Sequence, residues 1–310
     1  MPPRQTVEIA CDESGFVGGS LFDGVRVFAH ASLRMGGDEA AELVAEVRRR
    51  TSVVGAEVKA SHLNRPWGRD AAAWLCAPDG PLAGRATVHV SDTRLFGLAR
   101  LAQLTSLDAT PQGWWSADRD PDAWQLALRL DRLVADLGPD RRQRFLAAAR
   151  DLLWVRRRSR QRATPSWWRD AVADLPGGLA APDAVRRIDA YLAEPPVSPL
   201  TEPLLPALGW AVEHWSTIGD PDVVHDEQSL LTDVRVREID HALRAAHPDR
   251  RLAGFVMVDS RRDARVQLAD LVAGVGRRVL EDRFQGRIDT GVPVDHLVTG
   301  DSLLAPAAAC

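Results

Sequence analysis

Along residues 6–11 apolar and polar side chains alternate (Thr6-Val7-Glu8-Ile9-Ala10-Cys11), and the alternation stops at Asp12-Glu13-Ser14-Gly15. That pattern predicts a strand running into a turn. Residues 24–33, with Val25, Val27, Phe28, Ala29 and Ala31, follow Gly18-Gly19-Ser20 closely enough to predict the second strand of a hairpin. Residues 38–50 carry Ala40, Leu43, Val44 and Val47 at helical spacing behind Gly36-Gly37. A third strand is expected over residues 85–90, where Ala86, Val88 and Val90 alternate before Ser91-Asp92.

The texture changes over residues 93–216, which read as helical and hold eight of the ten tryptophans. Pro195-Pro196, Pro199, Pro203 and Pro206 mark an irregular connection there. Strand and helix patterns then return. A short strand is expected over 222–225, a helix over 229–246, a strand over 252–258 and a long helix over 263–284. The predicted architecture is an α/β domain, a mixed sheet flanked by helices, made from residues 1–92 and 216–292. A large helical insertion (93–215) interrupts it, and a frayed tail (293–310) follows.

With 45% hydrophobic and 26% charged residues among 310, the chain is globular in composition. No run approaches the roughly 20 apolar residues of a membrane span, and Met1-Pro2-Pro3-Arg4-Gln5 lacks the apolar core of a secretory signal. Cys11, Cys76 and Cys310 form neither a zinc-knuckle spacing nor an even disulfide set, so a reducing cytoplasm is the expected setting. The net charge of −4 hides a segregation: between Arg141 and Arg162 nine arginines face one acid, Asp151. Arg156, Arg157, Arg158, Arg160 and Arg162, flanked by Trp154 and Trp167-Trp168, offer phosphate-neutralising charge beside stacking surfaces. An exposed helix end over core tryptophans is the plainer account of the same run. Among 39 basic residues there is a single lysine, Lys59. A compact ammonium retained where arginine has replaced lysine elsewhere points to a crowded anionic site.

Four acidic stretches sit at predicted strand ends or on a helix facing the sheet. They are Asp12-Glu13, Glu57-Val58-Lys59 (Glu57 and Lys59 on one side if extended), Asp226-Glu227-Gln228, and Gln267-Leu268-Ala269-Asp270 after Val258-Asp259-Ser260. On the last helix Asp263, Gln267, Asp270 and Gly274 share a face, and an apolar stripe of Leu268, Val272, Val275 and Val279 lies about 140° away. Gly274 would leave room for an approaching group. Hard divalent cations take such oxygen ligands, and clustered carboxylates need a cation between them. Any one acid alone reads as a solvated group or a cap: Glu13, Asp92 and Glu227 above all, with Asp259 as a turn former and Asp263 as a helix cap. Of His62, His89, His214 and His225, only His225, beside Asp226, bears on the site.

These ordered motifs (Asp12-Glu13-Ser14-Gly15, Glu57-Val58-Lys59, Asp226-x-Gln228, Val258-Asp259-Ser260 and Gln267-Leu268-Ala269-Asp270-Leu271) resemble those of the domain-of-unknown-function family 3800. Ala10-Cys11 and Arg261 depart from the usual pattern. The resemblance implies a ribonuclease H-like fold and a metal-dependent nuclease. Asp12, Glu57, Asp226 and Asp270 would hold Mg²⁺ or Mn²⁺, with Lys59 positioning water or phosphate and Glu13, Ser14, Gln228, Ser260 and Gln267 in support. The expected partner is nucleic acid, DNA or RNA. Two rivals stand beside this: an inactive nucleic-acid-binding module, and a phosphohydrolase of small nucleotides.

Overall fold

The computed structural model describes residues 4–15, 21–22, 24–55, 57–106, 121–154, 168, 170, 181–193, 202–287, 291–300 and 302. In chain order its elements are β1 (Thr6–Ser14), β2 (Val27–Leu33), α1 (Gly37–Thr51), α2 (Ala60–Leu63), α3 (Arg69–Leu75), β3 (Ala86–Asp92), α4 (Thr93–Ser106), α5 (Pro121–Asp136), α6 (Pro139–Leu153), α7 (Pro182–Ala193), α8 (Leu204–Ser216), β4 (Asp220–Asp226), α9 (Asp233–Ala246), β5 (Gly254–Val258) and α10 (Ala264–Phe284). The five strands form one mixed sheet in the order β3-β2-β1-β4-β5. β2 pairs antiparallel with β1 and with β3, while on the other side β4 pairs parallel with β1 and β5 parallel with β4.

Alternation along β1 decides which core each residue enters. Val7, Ile9 and Cys11 face one way and pack with Phe28, Val223 and the α8 residues Leu205, Leu208 and Trp215. Ala10 faces the other way, toward Ala29, Ala31, Val224 and the residues of α10. Burying both faces of a sheet removes the largest apolar area from water, at roughly 25 cal/mol per Å². The Trp215 indole N–H is satisfied by donating to Ser32 Oγ at 2.8 Å. Residues of α4 to α7 close on a further cluster of their own, including Phe96, Leu130, Phe145, Leu152, Trp168 and Ile188. α8 instead covers the sheet.

Several boundaries differ from the sequence expectation for identifiable reasons. β1 continues past Cys11 because Asp12, Glu13 and Ser14 pair with Ala31, His30 and Ala29. β2 starts at Val27. Pro206 lies inside the first turn of α8, where its missing N–H leaves no hydrogen bond unmade. α9 begins at Asp233 behind Thr232, and residues 229 and 230 form a turn. The tail is not frayed over residues 293–300: Val88 N–H donates to Leu297 O at 2.7 Å and Thr299 N–H to Val88 O at 3.0 Å, so this segment lines the outer edge of β3. The long helix is not buried on one stripe alone. Packed between the sheet and α1 and α2, α10 buries Gln267, Gly274, Glu281 and Asp282 along with Leu268, Val272, Val275 and Val279. Among the described residues no helix is long and apolar enough to cross a membrane.

Candidate active site

β1 and β4 are parallel neighbours, so their carboxyl ends lie side by side. The same alternation that sends Ala10 and Val224 toward α10 sends Asp12 and Asp226 there too. Asp270 comes from α10 itself, and Glu57 from the extended segment that enters α2. The segment is held against α10 by its backbone: Val58 N–H donates to Gln267 Oε1 and Ala60 N–H to Asp270 Oδ2, both long contacts of 3.4 Å. Val58 is fully buried between Glu57 and Lys59, so the two charged side chains share the outer side, with Lys59 Nζ 3.3 Å from Glu57 Oε2. Asp226 Oδ1 accepts from Ser260 N–H at 2.9 Å, which ties the end of β4 to the turn after β5.

Asp12 is the most confined of these acids, at 7% exposure. Burial pushes its carboxyl up to about 9, and the negative fields of Glu13, Asp270 and Asp226 push the same way; only the Glu13 N–H, donating to Asp12 Oδ1 at 2.7 Å, opposes them. Asp270 is raised as well, by burial first and then by Glu57 and Asp226, against the Ala60 N–H and the Lys59 charge. Of the four acids expected from sequence, Asp270 and Asp226 act on Asp12, and Glu57 and Asp226 act on Asp270, so a chain of carboxylate fields links all four at one end of the sheet. Among the described residues, no three His, Cys, Asp or Glu side chains close around a point as ligands of one ion. The acids share a field rather than a formed coordination sphere. Their donor set is all oxygen, which suits Mg²⁺ or Mn²⁺, and a divalent cation would offset the burial and carboxylate fields that raise Asp12.

Glu13 points to the other face of the sheet. Its Oε1 accepts from Gln228 Nε2 at 2.6 Å, and its Oε2 lies 3.7 Å from His225 Nε2. His225 in turn is 3.3 Å from His30, Nε2 to Nε2, and its Nδ1 bonds the Asp226 carbonyl at 2.9 Å. His30 is held well below its ordinary value by burial, then by its neighbours His225 and His89. Glu202, buried on this side, is raised by burial to about 8. Gln228 thus supports Glu13, not the acids on the α10 side.

Asp92 is a cap, accepting from Arg94 and Leu95 N–H at the start of α4 while pairing with Arg26. Asp263 caps α10 through Arg265 N–H, and Asp259 forms its turn with Arg261. The room expected at Gly274 is already taken: a Cβ there would overlap Ala60, so the glycine serves close packing of the Glu57 segment on α10. Arg156, Arg157, Arg158, Arg160 and Arg162 lie outside the described residues. Ser14 Oγ accepts from Arg277 Nε at 3.0 Å, a partner that the sequence reading missed. Arg277 follows Gly274 on the face that already carries Gln267 and Asp270, which is the signal that could have found it. No family model, curated protein or solved structure matches the chain.

Proposed function

We propose that the protein is a divalent-metal-dependent nuclease with a ribonuclease H-like α/β domain, related to the domain-of-unknown-function family 3800. The observation that carries this reading is the convergence of Asp12, Glu57, Asp226 and Asp270, from four separate segments, on one end of a mixed sheet. Asp12, Asp226, Asp270 and Glu57 would hold Mg²⁺ or Mn²⁺. When bound, such ions supply Lewis acidity and lower the pKa of coordinated water. The chain's own part is to fix the carboxylates on rigid elements: β1, β4 and α10 hold three of them, and Gln267 and Asp270 brace the segment that brings the fourth. Lys59, exposed beside Glu57, offers a compact positive charge at the mouth of the site for a phosphate oxygen. The arginine-rich run from Arg156 to Arg162, which lies outside the described residues, would add phosphate-neutralising charge.

The test is cleavage of labelled single- and double-stranded DNA and RNA with Mg²⁺, with Mn²⁺ and with chelator. Metal-dependent cleavage by the wild type, lost in Asp12→Asn, supports the reading. Hydrolysis of free nucleotides without polymer cleavage would replace it with the small-nucleotide phosphohydrolase. Polymer binding without any hydrolysis would replace it with a binding module.

A further inference from the structure

Among the described residues, Arg277 is a cation without a paired acid. It lies on α10, half-buried, and among the described residues its one hydrogen bond is the donation from Nε to Ser14 Oγ at 3.0 Å. No carboxylate of the described residues pairs with it. The two acids whose fields reach it are committed elsewhere. Glu281 Oε2 accepts from the backbone N–H groups of Arg26 and Val27, and its Oε1 from Gln285 Nε2. Asp282 pairs with Arg278 and Arg287. A partly desolvated guanidinium presents five donors in a fixed fork, and here no described residue takes Nη1 or Nη2.

The chain also makes room for this side chain. Gly15 has φ +102°, and a Cβ there would overlap Arg277 Cδ and the Val27 carbonyl. Ser14 anchors the guanidinium and Gly15 admits its stem, so the Ser-Gly half of the Asp12-Glu13-Ser14-Gly15 motif seats an arginine as surely as the Asp-Glu half supplies acids. Seven residues separate Arg277 from Asp270, which puts it on nearly the same helix face and about 10 Å further along the axis. That is about three steps of a nucleic-acid strand at 3.4 Å rise per nucleotide.

We propose that Arg277, seated by Ser14 and Gly15, is a phosphate-binding subsite that grips the strand about two to three nucleotides from the phosphodiester held at the acids. This rests on the nuclease reading for the identity of its ligand. It makes the site select a polymer: a mononucleotide at the acids cannot reach Arg277, and an oligonucleotide spans both. Bidentate pairing of guanidinium with phosphate is the expected contact.

The test measures affinity of the full chain for fluorescein-labelled dodecathymidylate and dodecauridylate across a salt series, with Ca²⁺ replacing Mg²⁺ to hold back cleavage. In Arg277→Gln the affinity should fall about tenfold and the log–log salt slope should flatten by about 0.7, the value for one phosphate contact on a single strand. Arg277→Lys should keep the slope. Ser14→Ala, which frees the guanidinium but keeps its charge, should lose about two- to threefold in affinity with the slope intact. An unchanged slope in Arg277→Gln overturns the proposal, as does equal flattening in Arg277→Lys, which would report a packing defect. Wild type that binds neither oligonucleotide overturns both this subsite and the nuclease reading. Wild type that binds but does not cut in Mg²⁺ or Mn²⁺ removes the nuclease reading alone, and the slopes still decide Arg277.

Discussion

Asp12 and Glu13 are neighbours in sequence and occupy opposite environments. On the α10 side, Asp12 is buried among acids that raise its carboxyl to about 9, with one backbone N–H in compensation. Across the sheet, Glu13 takes a hydrogen bond from Gln228 and faces His225. A strand assigns side chains to its faces by parity alone, so two carboxylates one residue apart can have unrelated work. The α10 side gathers unbalanced charge, which costs folding energy and is of use only if something positive arrives. The other side distributes hydrogen-bond partners around its acid.

The largest consequence is at Asp12 itself. Asp12→Asn should lower metal-dependent cleavage by about a thousandfold, measured as initial rates on the best polymer substrate. In metal-free buffer near pH 7 the same variant should be more stable by an amount on the order of 1–2 kcal/mol, because it removes the cost of taking up a proton at the buried Asp12 carboxyl on folding. Glu13→Gln, which keeps an acceptor for Gln228, should cost less than about tenfold in rate. Equal losses in the two variants would erase the distinction between the faces.

Lys59→Arg comes next. It preserves charge, so a merely solvating lysine predicts no change. A phosphate-positioning lysine predicts a loss of about tenfold to a hundredfold with unchanged circular dichroism.

Gly274→Ala tests how the Glu57 segment is held. The added Cβ meets Ala60, and relief requires the segment to lift from α10, at about 1–3 kcal/mol by chemical denaturation. Ala60→Gly in the same chain should restore most of that stability.

The smallest effect is on the far side of the sheet, at Glu202. Its carboxyl is raised to about 8 in the fold by burial, from an ordinary value of 4.5. Between those values the folded state keeps a proton that the unfolded state has lost, so stability falls as pH rises through that window. Glu202→Gln should flatten the fall by an amount on the order of 1–2 kcal/mol, read from denaturation midpoints in metal-free buffer at pH 5 and pH 8.

What the sequence disclosed and what it concealed follow one rule. Asp12, Asp226 and Asp270 were visible because strand ends and helix spacing are local patterns, and the Glu57-Val58-Lys59 alternation put two charges on one side. The contacts that give the site its character are distant in sequence. Arg277 meets Ser14 across 263 residues, and His30 meets His225 across 195. Alternation showed that β1 had two faces, yet it could not show that pairing with β2 would carry the strand through Ser14. Gly274 was rightly singled out and wrongly explained, because the group that approaches it is Ala60 of the same chain. The tail looked featureless for the same reason: residues 297–299 become ordered only by finding the edge of β3.

The most direct test of the two-faced account is Mn²⁺ titration calorimetry on the wild type, Asp12→Asn and Glu13→Gln, each confirmed folded. The account predicts saturable Mn²⁺ binding by the wild type, no measurable heat in Asp12→Asn, and binding retained within a few-fold in Glu13→Gln. Mn²⁺ heats that are the same with and without the Asp12 carboxylate, or absent from the folded wild type, would contradict it.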